Sequence, residues 1–207
     1  YYEILTHIRH SEKVFNMKRL LLILIIMLSF QTLAKADDIG DFEIEGMSIG
    51  DSLLNSYSRN QIIENIDPNI FKDSDGKFKT AGFYGSFNEY DGMQFTIKPN
   101  DKKYIIYGIS AGIFYSNIQQ CEKKLKSISK ELSSLFSNSE IFLDIKRSHS
   151  ADKTGRSTDT SDIFMLKAGS ASVRCTDWSD EITSSYGWSD NLRVGVKSKE
   201  YNDWLPE

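Results

Sequence analysis

The sequence predicts a single α+β domain in which a short helical pair and one long amphipathic helix pack on an antiparallel sheet, with one disulfide. Three observations carry this expectation. Ile118, Cys121, Leu125, Ile128, Leu132 and Leu135 recur at intervals of three and four, the spacing of one helix face. Short runs of alternating apolar and polar residues recur between turn-forming residues, as half-buried strands require. Cys121 lies on the helical stripe and Cys175 alternates with Val173, so both sulfurs can enter one helix-to-sheet interface. A chain of 207 residues with 40% apolar and 26% charged side chains is long enough for one sizeable core.

Taken in order, Gly50-Asp51-Ser52 supplies a turn and cap before Leu53, Leu54 and Tyr57, predicting a short first helix. Ser58 and Gln61 have capping-box spacing ahead of Ile62, Ile63 and Ile66, predicting a second helix that ends before Pro68. Asp73-Ser74-Asp75-Gly76 reads as a turn. Strands are expected over Phe83–Phe87, Met93–Ile97 and Lys103–Tyr115, the third bulged or broken at Gly108 or Gly112. The long helix covers about Asn117–Ser137, with Lys123, Lys124, Lys126 and Lys130 mostly off its apolar stripe. Ile141–Ile145 follows as a strand. Residues Lys146 to Ser161 are rich in Ser, Thr and Asp and predict a long polar loop. Ile163–Lys167 and Ala171–Thr176 then flank Ala168-Gly169-Ser170 as a hairpin, and Leu192, Val194 and Val196 mark a last strand. No repeat and no Pro/Ser linker divides residues 38–207, which predicts one domain.

The amino-terminal 36 residues read as targeting sequence. Lys18 and Arg19 follow Met17, Leu20 to Phe30 is apolar apart from Ser29, and Ala34-Lys35-Ala36 is a small-x-small cleavage site. This is the layout of a secretory signal peptide over 17–36, cleaved after Ala36. Residues 1–16 are expected to be an upstream extension ahead of the start at Met17. With no cysteine at the cleavage site for lipid attachment, the expected product is periplasmic or secreted and has no stable membrane anchor.

Removing residues 1–36 leaves 20 basic and 27 acidic side chains, a net charge of −7 over 171 residues. That acidity, without a basic block, argues against nucleic acid, acidic polysaccharide or an anionic lipid surface as partners. Export also places Cys121 and Cys175 where disulfides persist, and an intramolecular bridge is the expected state. With no Cys-x-x-Cys pair, the spacing for a redox dithiol or a cysteine zinc site is missing.

Catalytic patterns are equally absent from the sequence. Taking Asp73, Asp75 and Gly76 as part of a calcium loop would demand acids at Phe71 and Gly82, so a plain turn is expected. Asp177, Asp180, Glu181 and Asp190 supply oxygen ligands with no fixed spacing. His149 is the one histidine after Ala36 and sits among polar residues, predicting a solvated loop side chain. No Gly-x-Ser-x-Gly elbow, phosphate-binding loop or dinucleotide fingerprint occurs, and the Ser-x-x-Lys matches at Ser127 and Ser150 lack their supporting motifs. No cofactor and no metal is expected.

The tripeptides Trp178-Ser179-Asp180 and Trp188-Ser189-Asp190 stand ten residues apart around Tyr186-Gly187. They predict a tryptophan-bearing loop whose indoles either cap the core beside the disulfide or stack on a ligand beside the carboxylates. Trp178, Asp180, Trp188 and Asp190 are therefore the candidate binding residues.

The entry segment from Ile44 to Leu54, Ile-Glu-Gly-Met-Ser-Ile-Gly-Asp-Ser-Leu-Leu, resembles the Gly-Met-Ser/Thr helix start of small bacterial outer-membrane assembly lipoproteins and related envelope domains. The likeness spans eleven of 207 residues, and neither the lipid-bearing cysteine nor the Leu-Gly-x-Pro that usually follows occurs. It implies a non-catalytic interaction module with a helical pair on an antiparallel sheet, and Met47 becomes a candidate contact residue. The Lys-, Ile- and Asn-rich composition is also similar to that of exported proteins from AT-rich bacteria.

Three functions follow, in order of expectation. The first is a non-enzymatic module binding an envelope protein through the helical pair or the tryptophan loop. The second is a small-ligand or glycan-binding domain using the tryptophans. The third is a hydrolase built on His149 or paired carboxylates.

Overall fold

The computed structural model describes residues 39–71, 75–85 and 87–205. The expected extension 1–16, the signal peptide 17–36 and its cleavage site lie outside these residues, as do Asp73 and Ser74 of the expected turn.

Alternation along the chain builds a seven-stranded, wholly antiparallel sheet. The strands are β1 (Lys79–Tyr84), β2 (Gly92–Ile97), β3 (Ile106–Tyr115), β4 (Glu140–Ser148), β5 (Thr158–Leu166), β6 (Gly169–Asp177) and β7 (Asp190–Ser198). Their order is β1-β2-β3-β7-β6-β5-β4. Two meanders thus meet where β3 pairs with β7, and the chain crosses from β3 to the far edge through the helix that separates them.

The helices are α1 (Arg59–Glu64), α2 (Ile118–Leu135), α3 (Asp180–Tyr186) and α4 (Lys199–Trp204). Helical content is modest, since among the described residues only α2 exceeds seven residues. Helix α2 starts where the Asn117 side chain accepts from the Gln119 N–H, and it buries Cys121, Leu125, Ser129 and Leu132. Cys121 is bonded to Cys175 of β6, with 54 residues of separation.

Register sorts the side chains into two faces. Val173, Val194, Ala111 and Met93 align across four strands on one face and are buried. Ser172, Gly195, Ser110 and Gln94 align on the other. The apolar face joins Cys121, Leu125, Leu132, Phe95 and Leu192 in one core with Ile39, Ile44, Met47 and Leu53 of the entry segment.

The structure corrects several expectations. The first arm of the expected helical pair is one 3-10 turn, Leu53–Asn55. Its backbone is taken instead by strand-like bonds: Leu53 N–H donates to the Tyr104 carbonyl and Ile106 N–H to the Asp51 carbonyl. Helix α1 does carry the capping box at Ser58 and Gln61. Strand β1 starts four residues before the expected Phe83. Strand β3 is continuous through Gly112 and carries the expected bulge beside Gly108, where Thr96 pairs with Gly108 but Ile97 pairs with Ile106. The expected polar loop from Lys146 to Ser161 is shorter than its composition suggests: residues 149–157 connect β4 to β5, and the residues on either side belong to those strands. Polarity misled there because β5 points Ser161 and Asp159 at a polar face while Asp162, on the opposite side, is buried with its carboxylate accepting from the Asp144 N–H.

Candidate functional site

The face of the sheet turned away from the core is built from small and polar side chains. Glycines at 108 and 195, serines at 110, 161 and 172, and Thr96 leave room that longer residues would fill, and a cavity of about 600 Å³ lies over them. Gly108 is required for close approach: a Cβ there would stand 2.8 Å from the ring of Tyr201, which α4 packs against the strand.

Basic residues dominate this cavity. Arg147, Arg174, Arg193 and Lys197 line it, against the carboxylate of Asp159. Arg174 and Arg193 are direct cross-strand neighbours on β6 and β7, an arrangement in which like charges repel. Among the described residues Arg193 donates to neutral acceptors only, through Nη1 to Gln94 Oε1 at 2.9 Å and through Nε to Asn191 Oδ1 at 3.4 Å. Arg174 stands 3.6 Å from Asp159, whose other oxygen accepts from the Thr176 hydroxyl at 2.6 Å. Lys197, half-buried, forms no hydrogen bond or ion pair among the described residues. Burial, followed by the charge of Arg174, pushes the pKa values of both Arg193 and Lys197 downward.

An aromatic cavity of about 570 Å³ shares Arg174 and Arg193 with the first. His149, Trp178 and Trp188 wall it together with Tyr84 and Phe114. The His149 and Trp178 ring centroids are 4.3 Å apart, those of Trp178 and Trp188 4.7 Å, and Tyr186 lies 5.2 Å from Trp188. Trp188 retains 40% of its surface and Phe114 50%, so rings face the cavity instead of the core.

Loop and helix hold these rings in place. Asp152 is buried and its carboxylate accepts from the N–H and hydroxyl of Thr154, the N–H and hydroxyl of Ser157, and the hydroxyl of Ser179. Ser179 precedes α3, so one carboxylate ties loop 149–157 to the tryptophan segment. These donors, the Thr154 hydroxyl first, hold the Asp152 pKa far below the usual carboxylate range. Asp190 Oδ1 accepts from the Trp178 N–H at 2.9 Å. His149 Nδ1 accepts from the Ala151 N–H at 3.1 Å, and burial lowers its pKa.

Acid should therefore unfold this corner in two stages. The unfolded His149 gains a proton near pH 6.5 while the buried ring resists it, so stability falls as pH drops below that value. The Asp152 contribution is complete above its unfolded value of 3.8 and is lost as pH falls below it. Thermal unfolding from pH 8 to pH 2.5 checks this. His149→Gln should remove the first stage, and Asp152→Asn should lower the midpoint at neutral pH and flatten the second.

The structure brings together some of the residues singled out from sequence and separates others. Trp178 and Trp188 meet in the aromatic cavity, and Asp190 acts as the backbone clamp just described. Asp180 lies exposed in the first turn of α3 and does not line the cavity. Met47 is 8% exposed and belongs to the core, held there by the reciprocal Ile44–Met47 backbone bridge. His149 is half-buried on Trp178, not solvated in a long loop. Trp204 lies elsewhere, against Phe78, donating from Nε1 to Asp75 at 3.0 Å. Sequence reading missed Arg174, Arg193 and Lys197, whose common face depends on the β6–β7 register.

Fold and site define an antiparallel α+β protein with a basic and aromatic open sheet face. Among the described residues no three His, Cys, Asp or Glu side chains are grouped to hold a metal, and no helix is long and apolar enough to cross a membrane. No family model, curated protein or solved structure matches the chain.

Proposed function

We propose that this is an exported, non-enzymatic binding protein that takes a small ligand on the open face of its sheet. In this reading α2 and the entry segment cover one face and α4 covers one end of the other, leaving the rest of that face for the ligand, and cleavage after Ala36 releases the protein into the periplasm or beyond. The observation that carries the reading is the meeting of Trp178, Trp188 and His149 over Arg174 and Arg193 in one cavity. Aromatic walls with a few convergent polar groups are the usual composition of a small-molecule site. Exposed aromatic rings held by backbone clamps are also pre-organised, which reduces the ordering cost of binding.

Tryptophan emission tests it. Titrating the oxidised protein with benzoate, phenyl β-glucoside, benzylamine and benzamide is expected to change the emission with at least one of them. Trp178→Phe and Trp188→Phe should abolish the change, whereas Trp204→Phe should keep it. No response to any compound, or a response that survives in the Trp178/Trp188 double variant, contradicts the reading.

An envelope-protein partner is the second reading, and the edge strand β4 favours it. Ile141, Phe142 and Leu143 are 39%, 43% and 56% exposed there, and an added strand from a partner would cover them.

A further inference from the structure

We infer that the ligand of this face is a small organic oxyanion, a ring or chain bearing a carboxylate, sulfate or phosphate group that sits between Arg174, Arg193 and Lys197. The inference rests on the small-ligand reading and adds the chemistry of the ligand. Its first support is geometric. Arg174 and Arg193 lie directly opposite each other on β6 and β7, and Lys197 is two pleats along β7 on the same face, opposite Ser170. All three line one cavity.

The second support is the state of their donors. Among the described residues Arg193 donates to two amide oxygens and to no carboxylate. The 3.6 Å separation of Arg174 from Asp159 is beyond hydrogen-bond distance, so that carboxylate leaves its guanidinium donors largely unused. The Lys197 ammonium has no partner among the described residues. Three cations in a partly desolvated cavity repel one another, and an oxyanion between them would relieve the repulsion while taking charge-assisted hydrogen bonds. Guanidinium forks on adjacent strands suit two-oxygen recognition, which carboxylate, sulfate and phosphate share.

The third support is the neighbouring cavity. Trp178, Trp188 and His149 stand at the end of the face where Arg174 and Arg193 are shared, so a ring attached to the anion would reach the indoles. Serines 110, 161 and 172 and Thr96 supply neutral hydroxyls along the remaining floor. The protein is acidic as a whole, so its attraction for anions is confined to this face.

Benzoate, phenyl phosphate and the uncharged benzamide are the probes, each titrated calorimetrically into the oxidised protein comprising residues 37–207, with inorganic phosphate as competitor. The expected result is binding of benzoate or phenyl phosphate, with benzamide weaker by about tenfold or more, the effect of one charge-assisted bond. Arg174→Gln and Arg193→Gln should each weaken the anion by at least about tenfold and weaken benzamide by much less. Arg193→Lys should restore part of the affinity. Thermal unfolding gives a readout independent of calorimetry: without anion, Arg174→Gln should be at least as stable as the parent, and phosphate should raise the parent's midpoint but not that of the Arg174/Arg193 double variant. If benzamide binds as tightly as benzoate and the arginine variants bind both unchanged, the oxyanion inference is overturned and the small-ligand reading stands. If none of the three probes binds and phosphate moves no midpoint, both are overturned.

Discussion

Replacing Cys121 and Cys175 together with alanine is expected to lower the unfolding free energy by about 4 kcal/mol, the loop-entropy value for a bridge of this span. The bridge joins α2 to β6 across 54 residues, and that interval includes all of β4 and β5. Both sulfurs are buried, so alanine is the suitable replacement, whereas serine would leave hydroxyls without partners. The effect acts mainly on the unfolded chain, which regains the freedom that the cross-link removed. Equilibrium urea unfolding should therefore show a lower midpoint and a steeper dependence on denaturant, because a less constrained chain exposes more surface. Against a typical total of about 5–15 kcal/mol, such a loss leaves a marginal protein. Reducing agent should reproduce it in the parent and do nothing to the double variant. A change of less than about 1 kcal/mol would mean that the unfolded chain is already compact without the bridge.

Phe95→Ala is expected to cost about 3–5 kcal/mol, the range for removing a buried aromatic ring. Phe95 is fully buried at the centre of β2, with ring centroids 5.9 Å from Phe83 and 6.1 Å from Tyr57, which themselves stack at 3.8 Å. Truncation opens a cavity between the sheet and the entry segment, whose backbone is fixed by bonds from residues 50–53 to 104–106 and so cannot collapse inward. Urea unfolding should show a lower midpoint with the slope unchanged, the opposite of the cysteine variant in that respect. A cost below about 1.5 kcal/mol would show that the entry segment closes over the gap.

Local periodicity made part of this fold legible. The stripe from Ile118 to Leu135, the alternation around Val173 and Cys175, and the turn at Ala168-Gly169 each carry their own structure in a few consecutive residues. The disulfide followed from them, because an apolar stripe and an alternating strand each assign a sulfur to the core side. Loop 149–157 was obscured by composition: β4 and β5 flank it with polar residues because one side of the sheet faces a polar cavity. The first helical arm lost its backbone to bonds with 104–106, a pairing that no nearby residue announces.

The candidate site shows the same division. Trp178 and Trp188 are conspicuous in sequence, and the structure brings their rings together. Arg174, Arg193 and Lys197 are separated along the chain and become neighbours only through the β6–β7 register. Alternation alone already placed Arg174 opposite in direction to Val173 and Cys175, and Arg193 opposite to Leu192 and Val194. Net charge concealed the cluster, since an acidic total says nothing about segregation of the few cations onto one face. Met47 illustrates the converse: a residue prominent in a short resemblance lies in the core, where packing accounts for it.

The most direct test of the account is a two-dimensional NMR titration of the labelled, oxidised protein with phenyl phosphate, following the indole N–H and arginine Nε–H signals. Trp178, Trp188, Arg174 and Arg193 are expected to shift together and saturate at one concentration, while Trp204 and the amides of β4 stay in place. Shifts confined to the β4 edge, or no shift on the open face with any of the compounds used above, would contradict it.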